Sequence, residues 1–175
     1  MPTDARRPFQ PVNIAVLTVS DTRTPLTDRS GDALAERVTG AGHLLARRDI
    51  VVDTIDGIEV VLQQWIADPT IEVIISTGGT GITGRDVTPE AFARVLEKEI
   101  PGFGELFRSQ SFAKIGASAM FSRAVAGVAN GKYLFALPGS PGAVADAWDG
   151  ILAGQLDSRT NACTLLQLKP RLLER

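Results

Sequence analysis

The sequence has almost none of the residue types that build the commoner catalytic centres. Of its 175 residues one is cysteine, Cys163, and one is histidine, His43. A single cysteine excludes an intramolecular disulfide and any multi-cysteine metal centre, and Cys163 reads as a part-buried small apolar residue. A single histidine excludes a multi-histidine zinc site, and His43 would have to serve a Ser-His-Asp triad alone. It follows Gly40-Ala41-Gly42, where a polar residue entering a strand needs no functional reason. An excess of one charge is also missing. Lys and Arg number 18 against 20 Asp and Glu, a net charge of −2, so no global field draws nucleic acid or an anionic membrane. No segment reaches about 18 uninterrupted apolar residues, and the first ten are polar, so neither a membrane span nor a signal peptide is expected. The expectation is a cytoplasmic enzyme or binding protein whose chemistry rests on carboxylates, hydroxyls and backbone N–H groups.

What is present alternates strand and helix. Asn13 to Ser20 is a short β-branched run with the pattern of a strand buried on both faces. Leu44 to Val52 is a second strand, interrupted by Arg47-Arg48-Asp49 and so nearer an edge. Glu72 to Thr77 is a third, and Ala124 to Val128 and Lys132 to Leu137 are two more, joined by the hairpin signal Asn130-Gly131. Between them, Leu34, Val38 and Ala41 keep helical spacing, as do Ile58, Val61, Leu62, Trp65 and Ile66 behind an Asp56 cap. That spacing makes Trp65 core rather than a stacking platform. Thr88-Pro89 and Ser140-Pro141 start helices with a capping hydroxyl and Pro at the first helical position. Pro101 to Gly104 reads as a break before a short helix over 105–115, and Val144, Ala147, Trp148, Ile151 and Leu152 form the last apolar stripe. The fold class is α/β: a three-layer α/β/α domain over 12–153, its sheet mostly parallel with one short antiparallel hairpin. A flexible arm, 1–11, and a C-terminal tail, 154–175, flank it.

Open α/β sheets bind ligands outside the carboxyl ends of their strands. Four polar or glycine-rich loops fall there: Ser20-Asp21-Thr22, 53–56, 77–86 and 138–142. Thr77-Gly78-Gly79-Thr80-Gly81 has what a phosphate needs: glycines that let several N–H groups share one concavity, hydroxyls, Arg85 nearby and a helix start at Thr88. It lacks the GK[ST] ending of the Walker motif, and alone it reads equally as a sharp turn. Asp86, past the loop, and Asp53, ending the second strand, suit Mg²⁺ held with nucleotide phosphates; by position Asp56 competes with Asp53. Arg123 could reach an anion, and Asp21 could bind a heterocycle or shape its turn.

These segments resemble the molybdopterin adenylyltransferases of the MoaB/Mog type. The resemblance lies in Thr18-Val19-Ser20-Asp21, in Thr77 to Gly81 with Arg85-Asp86-Val87-Thr88-Pro89-Glu90-Ala91, and in Pro101-Gly102-Phe103-Gly104-Glu105. Ser122 to Val128 and Leu137-Pro138-Gly139-Ser140 complete it, in the family's order from about Ile14 to Leu152. The stretches 102–115 and 122–130 look closest to the MoaB branch. The resemblance implies adenylylation of molybdopterin by Mg-ATP with release of pyrophosphate. It implies Asp86 and Asp53, rather than Asp56, as catalytic carboxylates positioning Mg²⁺, although Val52 stands where the family usually has proline. Substrate and nucleotide would meet Ser20, Asp21, Thr77, Gly78, Gly79, Thr80, Gly81, Arg85, Glu105, Ser122, Arg123, Gly139 and Ser140. It further implies a homo-oligomer, a trimer or hexamer. Two other readings use the same residues: a silent pterin- or nucleotide-binding paralogue, and a nucleotide pyrophosphate hydrolase. Both aspartates favour catalysis over binding alone, and the 122–128 and 138–141 blocks favour transfer over hydrolysis.

Overall fold

A computed structural model describes residues 2–174. Among them six strands form one sheet in the order β2-β1-β3-β6-β5-β4: β1 (Asn13–Val19), β2 (Leu44–Val51), β3 (Val73–Thr77), β4 (Lys98–Glu99), β5 (Val125–Ala129) and β6 (Lys132–Leu137). β2, β1, β3 and β6 pair in parallel, and β5 runs antiparallel to β6 and β4. Asn130 and Gly131 both have positive φ at the β5–β6 turn, 46° and 72°, the backbone that Asn-Gly favours. β2 lies at the sheet edge, in keeping with its charged centre.

Residues of β1 alternate between two apolar layers. Ile14 and Val16 face α1 (Arg29–Gly40), α4 (Pro101–Ile115) and α5 (Pro141–Ala147) through Leu34, Val38, Phe103, Phe107 and Val144. Ala15, Leu17 and Val19 face α2 (Ile55–Ala67) and α3 (Thr88–Val95) through Ile58, Leu62, Trp65 and Phe92. Trp65 is buried, as its spacing predicts. α5 continues through a π turn, Trp148–Leu152, into α6 (Ala153–Gln155), which keeps Trp148, Ile151 and Leu152 buried. A last short helix is α7 (Leu165–Leu168). No helix among the described residues is long and apolar enough to cross a membrane.

Several local expectations are corrected. The cap of α2 is Thr54, whose hydroxyl accepts from the Gly57 N–H at 3.3 Å; Asp56 lies inside the first turn. Thr88 makes no cap bond, because its hydroxyl donates to the Gly78 carbonyl instead. Pro101-Gly102-Phe103-Gly104 is the first turn of α4 rather than a break, with Pro at the position where its missing N–H costs nothing. Cys163 is exposed. The described part of the 1–11 segment makes defined contacts. Thr3 bridges Thr160, the Gln10 N–H donates to Ser158, and Phe9 packs on His43 and under the Arg159 guanidinium. The tail docks too, through Tyr133 Oη to the Leu165 carbonyl and a Lys169–Glu72 ion pair.

His43 lies between Phe9 and Trp148. It is 4% exposed, and its Nδ1 accepts from the Val12 N–H at 3.2 Å. Burial lowers its pKa below the ordinary 6.5, against the raising pull of Asp157 and Glu72. The folded protein therefore binds this proton less readily than the unfolded chain. The stability it contributes is full above the unfolded value and is lost as pH falls below it. Between about pH 7.5 and about pH 5 the melting temperature should fall roughly 2–4 °C further in wild type than in His43→Gln. Parallel pH slopes in thermal melts would refute this.

Candidate active site

The C-terminal ends of β1, β2, β3 and β6 reach one edge of the sheet. The chain passes from β1 to β2 on one side and returns to β3 on the other, so the crevice between β1 and β3 is the topological switch point. The loops there are stitched together. The Gly78 N–H donates to Leu137 O and Thr77 Oγ1 to Pro138 O, both at 2.9 Å. Ser30 Oγ, in α1, donates to Gly139 O at 2.9 Å. Asp28, 1% exposed, caps α1 and holds β1 and β2 to it: it accepts from Gly31 N at 2.9 Å, Thr18 Oγ1 at 2.7 Å and Arg48 Nη2 at 2.9 Å.

The glycine turn depends on backbone that only glycine adopts easily. Gly78 and Gly79 have φ of 110° and 62°. Side chains crowd the places where β-carbons would be. One on Gly79 would lie 2.8 Å from Asp53 Oδ1, and one on Gly81 would lie 2.7 Å from Asp86 Oδ2. Both carboxylates therefore lie directly against the turn. Among the described residues, the N–H groups of Gly79 and Thr80 donate to no protein acceptor. They are unspent donors close to the positive end of α3, whose Thr88 N–H donates to the Gly79 carbonyl at 3.0 Å.

The two carboxylates differ. Burial pushes the Asp53 pKa up; Asp86 and Asp21 push it further, and the Val87 N–H, at 3.5 Å, and Arg85 only partly oppose this. Burial also acts on Asp86, but the Thr83 hydroxyl at 2.6 Å, the Thr83 N–H at 2.9 Å, the Gly81 N–H and Arg123 outweigh it and hold the carboxyl below its usual range. Asp21 is also held low, first by the Asp53 N–H at 3.1 Å and then by its ion pair with Arg85. Among the described residues no group of three or more His, Cys, Asp or Glu side chains could hold a metal ion. A divalent cation at Asp53 and Asp86 would thus need ligand oxygens, the way Mg²⁺ binds with one or two carboxylates and phosphates. Asp53, raised in pKa with one weak donor, has the coordination capacity to spare.

The remaining predicted residues separate into groups. Ser20 Oγ accepts from the N–H groups of Thr22 and Arg23, both at 3.3 Å, and shapes its own loop. Arg123 holds the glycine loop and Glu90. Ser122 Oγ is buried without a partner. Ser140 caps α5, accepting from Ala143 N at 3.2 Å. Glu105 is exposed on α4 and makes no hydrogen bond or ion pair among the described residues. Sequence reasoning missed Asp28, Thr83 and Glu90. The Asp28-Arg29-Ser30-Gly31 capping spacing was the available signal for Asp28, and the three-residue Thr83–Asp86 offset for Thr83.

A family model described as a probable molybdopterin binding domain matches residues 15–158. The chain belongs to this family. Molybdenum cofactor biosynthesis protein B of Escherichia coli strain K12 is 45% identical over 155 residues, covering 89% of this chain and 91% of that one. The Bacillus cereus protein of the same name is 44% identical over 146 residues, covering 83% and 86%. A crystal structure of molybdenum cofactor biosynthesis protein B superposes with a TM-score of 0.82 at 43% identity, covering 84% of this chain and 92% of that chain. The tungsten cofactor synthesizing protein MoaB from Pyrococcus furiosus gives 0.74 at 32% identity, covering 82% and 92%. The six-stranded α/β architecture is that of these family members.

Proposed function

We propose that this family member adenylylates molybdopterin with Mg-ATP. A phosphate oxygen of the pterin attacks the α-phosphorus of ATP, a new P–O–P bond forms, the bond to the β-phosphate breaks, and pyrophosphate leaves. The observation that carries the reading is the pair Asp53 and Asp86 lying against a positive-φ glycine turn whose Gly79 and Thr80 N–H groups are unspent. Those N–H groups, the α3 terminus and Arg85 bind and orient phosphate oxygens and offset the charge that spreads over them in the transfer. Mg²⁺, held by Asp53 and Asp86 through the phosphates, supplies further charge neutralisation when bound. Clefts of about 530 Å³, lined by Asp21 and Val52, and about 380 Å³, lined by Asp86 and Glu90, open at the site, each with room for a small ligand. The same reading takes the chain as a homo-oligomer, trimer or hexamer. Leu106, Phe112 and Ile115 of α4, with Met120 and Phe121 after it, are exposed apolar side chains suited to a second copy.

Purified protein incubated with molybdopterin and Mg-ATP should yield equal amounts of pyrophosphate and adenylylated pterin. Nucleotide hydrolysis without adenylylated pterin would replace transfer with hydrolysis. Tight binding of both ligands with neither product would make the chain a silent paralogue.

A further inference from the structure

Two of the arginines at the candidate site, Arg85 and Arg123, are alike as anion ligands by residue type alone. Their surroundings differ. Arg123 immediately precedes the sheet strand β5, and its side chain is only 33% exposed. Its Nε donates to Gly81 O and its Nη2 to Asp86 O, each at 2.6 Å, while Nη1 is ion-paired with Glu90. Its own N–H donates to Thr80 O at 2.9 Å. Four contacts from one residue thus hold both ends of the 80–86 loop and the first turn of α3. An oxyanion recruited by this guanidinium would have to displace Glu90 or loop carbonyls, and Glu90 already offsets the charge. Arg85 is the reverse case: 70% exposed, with a single partner among the described residues, Asp21, whose other oxygen is held by the Asp53 N–H. Exchanging that one carboxylate for a phosphate leaves the backbone of the loop untouched.

We propose that Arg123 is a positioning residue, a strap that fixes the curvature of the 80–86 loop and so the Asp86 carboxylate, while Arg85 is the guanidinium that meets phosphate. A planar fork suits the strap, since two carbonyls and a carboxylate must be bonded at once, and a lysine ammonium on a flexible stem cannot hold that geometry. The kinetic consequence rests on the adenylyl-transfer reading; the structural one does not.

The test uses the full chain with Arg123→Ala, Arg123→Lys and Arg85→Gln. Amide hydrogen exchange over 79–87 should quicken about tenfold or more in Arg123→Ala, with the protection of β1, β3 and β6 unchanged. With molybdopterin and Mg-ATP, Arg123→Ala should lose roughly 30- to 100-fold in kcat with KM for ATP within about threefold, the mark of a misplaced catalytic group. Millimolar guanidinium should restore part of that loss, and Arg123→Lys should not. Arg85→Gln should raise KM for ATP about tenfold and leave loop exchange as in wild type. Raised KM in Arg123→Ala with unchanged loop exchange would make Arg123 a phosphate ligand and overturn the assignment. Loss of protection across the whole sheet would make it a general fold residue and overturn the assignment too, as would full activity in Arg123→Lys. If wild type forms no adenylylated pterin, the functional reading fails, and the exchange measurement still decides the strap.

Discussion

Under the proposed adenylyl transfer, Asp53→Asn and Asp86→Asn are each expected to lower kcat by about 100- to 1000-fold or more, yet to move the melting temperature in opposite directions. Asp53 is a carboxylate with too few donors. Among the described residues its carboxylate has one hydrogen bond, a 3.5 Å contact from Val87 N, and burial first, then Asp86 and Asp21, raise its pKa. An amide there removes the repulsion, so the variant should melt about 1–3 °C higher than wild type, the familiar exchange of stability for function. Asp86 is the well-supplied partner, with the Thr83 hydroxyl and N–H both on Oδ2. Asparagine weakens those charge-assisted bonds, and the melting temperature should drop by about 1–3 °C. Pyrophosphate release assays and calorimetry on both variants decide the matter. Equal and opposite-signed stability shifts with activity retained would leave the electrostatics standing and remove the catalytic assignment. A fall in melting temperature for Asp53→Asn would mean that position 53 supports the fold.

Gly78→Ala should be the most damaging single methyl in the molecule. The φ of 110° is one that side-chain-bearing residues rarely adopt, and the added carbon would collide with the Val19 carbonyl of the neighbouring strand β1. Backbone in a sheet cannot step aside as the end of a side chain can. Strain and displacement together should cost about 4 kcal/mol, lowering the melting temperature by roughly 10 °C. Gly84→Ala, where nothing lies within 4 Å of the new carbon, is the matched control and should melt with wild type. If the two variants melted alike, the turn geometry argued for the phosphate loop would be wrong.

The parts of this fold that are legible in the sequence are those where burial alone sets the pattern. The stripe Val144-Ala147-Trp148-Ile151-Leu152 and the Ile58-to-Ile66 face announce buried helices because the apolar period records which side is covered, and charge within Leu44–Val51 marks an edge. Caps are less legible. Asp56 has the right chemistry for an N-cap, but the extended backbone that a cap needs belongs to Thr54 (ψ 140°), and backbone angle is not written in residue type. Pro101-Gly102 looks like an interruption because proline and glycine both break helices in their interiors. Here Pro starts one, and Gly104 is required by its approach to the Ala124 carbonyl, 2.6 Å from where a β-carbon would sit. At the candidate site, Asp86 stands out because it is contiguous with the glycine loop. Glu90 does not, since its partner Arg123 lies 33 residues away, and Asp28 and Thr83 show only the three-residue spacing of a cap and a turn.

The direction of β5 decides more than the sheet's classification. Were it parallel to β6, the residues before it would emerge at the opposite edge, about 17 Å away for a five-residue strand. Because it runs antiparallel, Ser122 and Arg123 arrive beside the ends of β1, β3 and β6. The Arg123 bond to Gly81 spans 42 residues and the Ser30 bond to Gly139 spans 109. A nascent chain that has released the glycine loop from the ribosome therefore carries Asp53 and Asp86 but not the contacts of Arg123 and Gly139, which form only after the hairpin has turned back at Asn130-Gly131. The frame of the candidate site is thus completed late in synthesis, and a chain truncated before the hairpin would keep Asp53 and Asp86 without it.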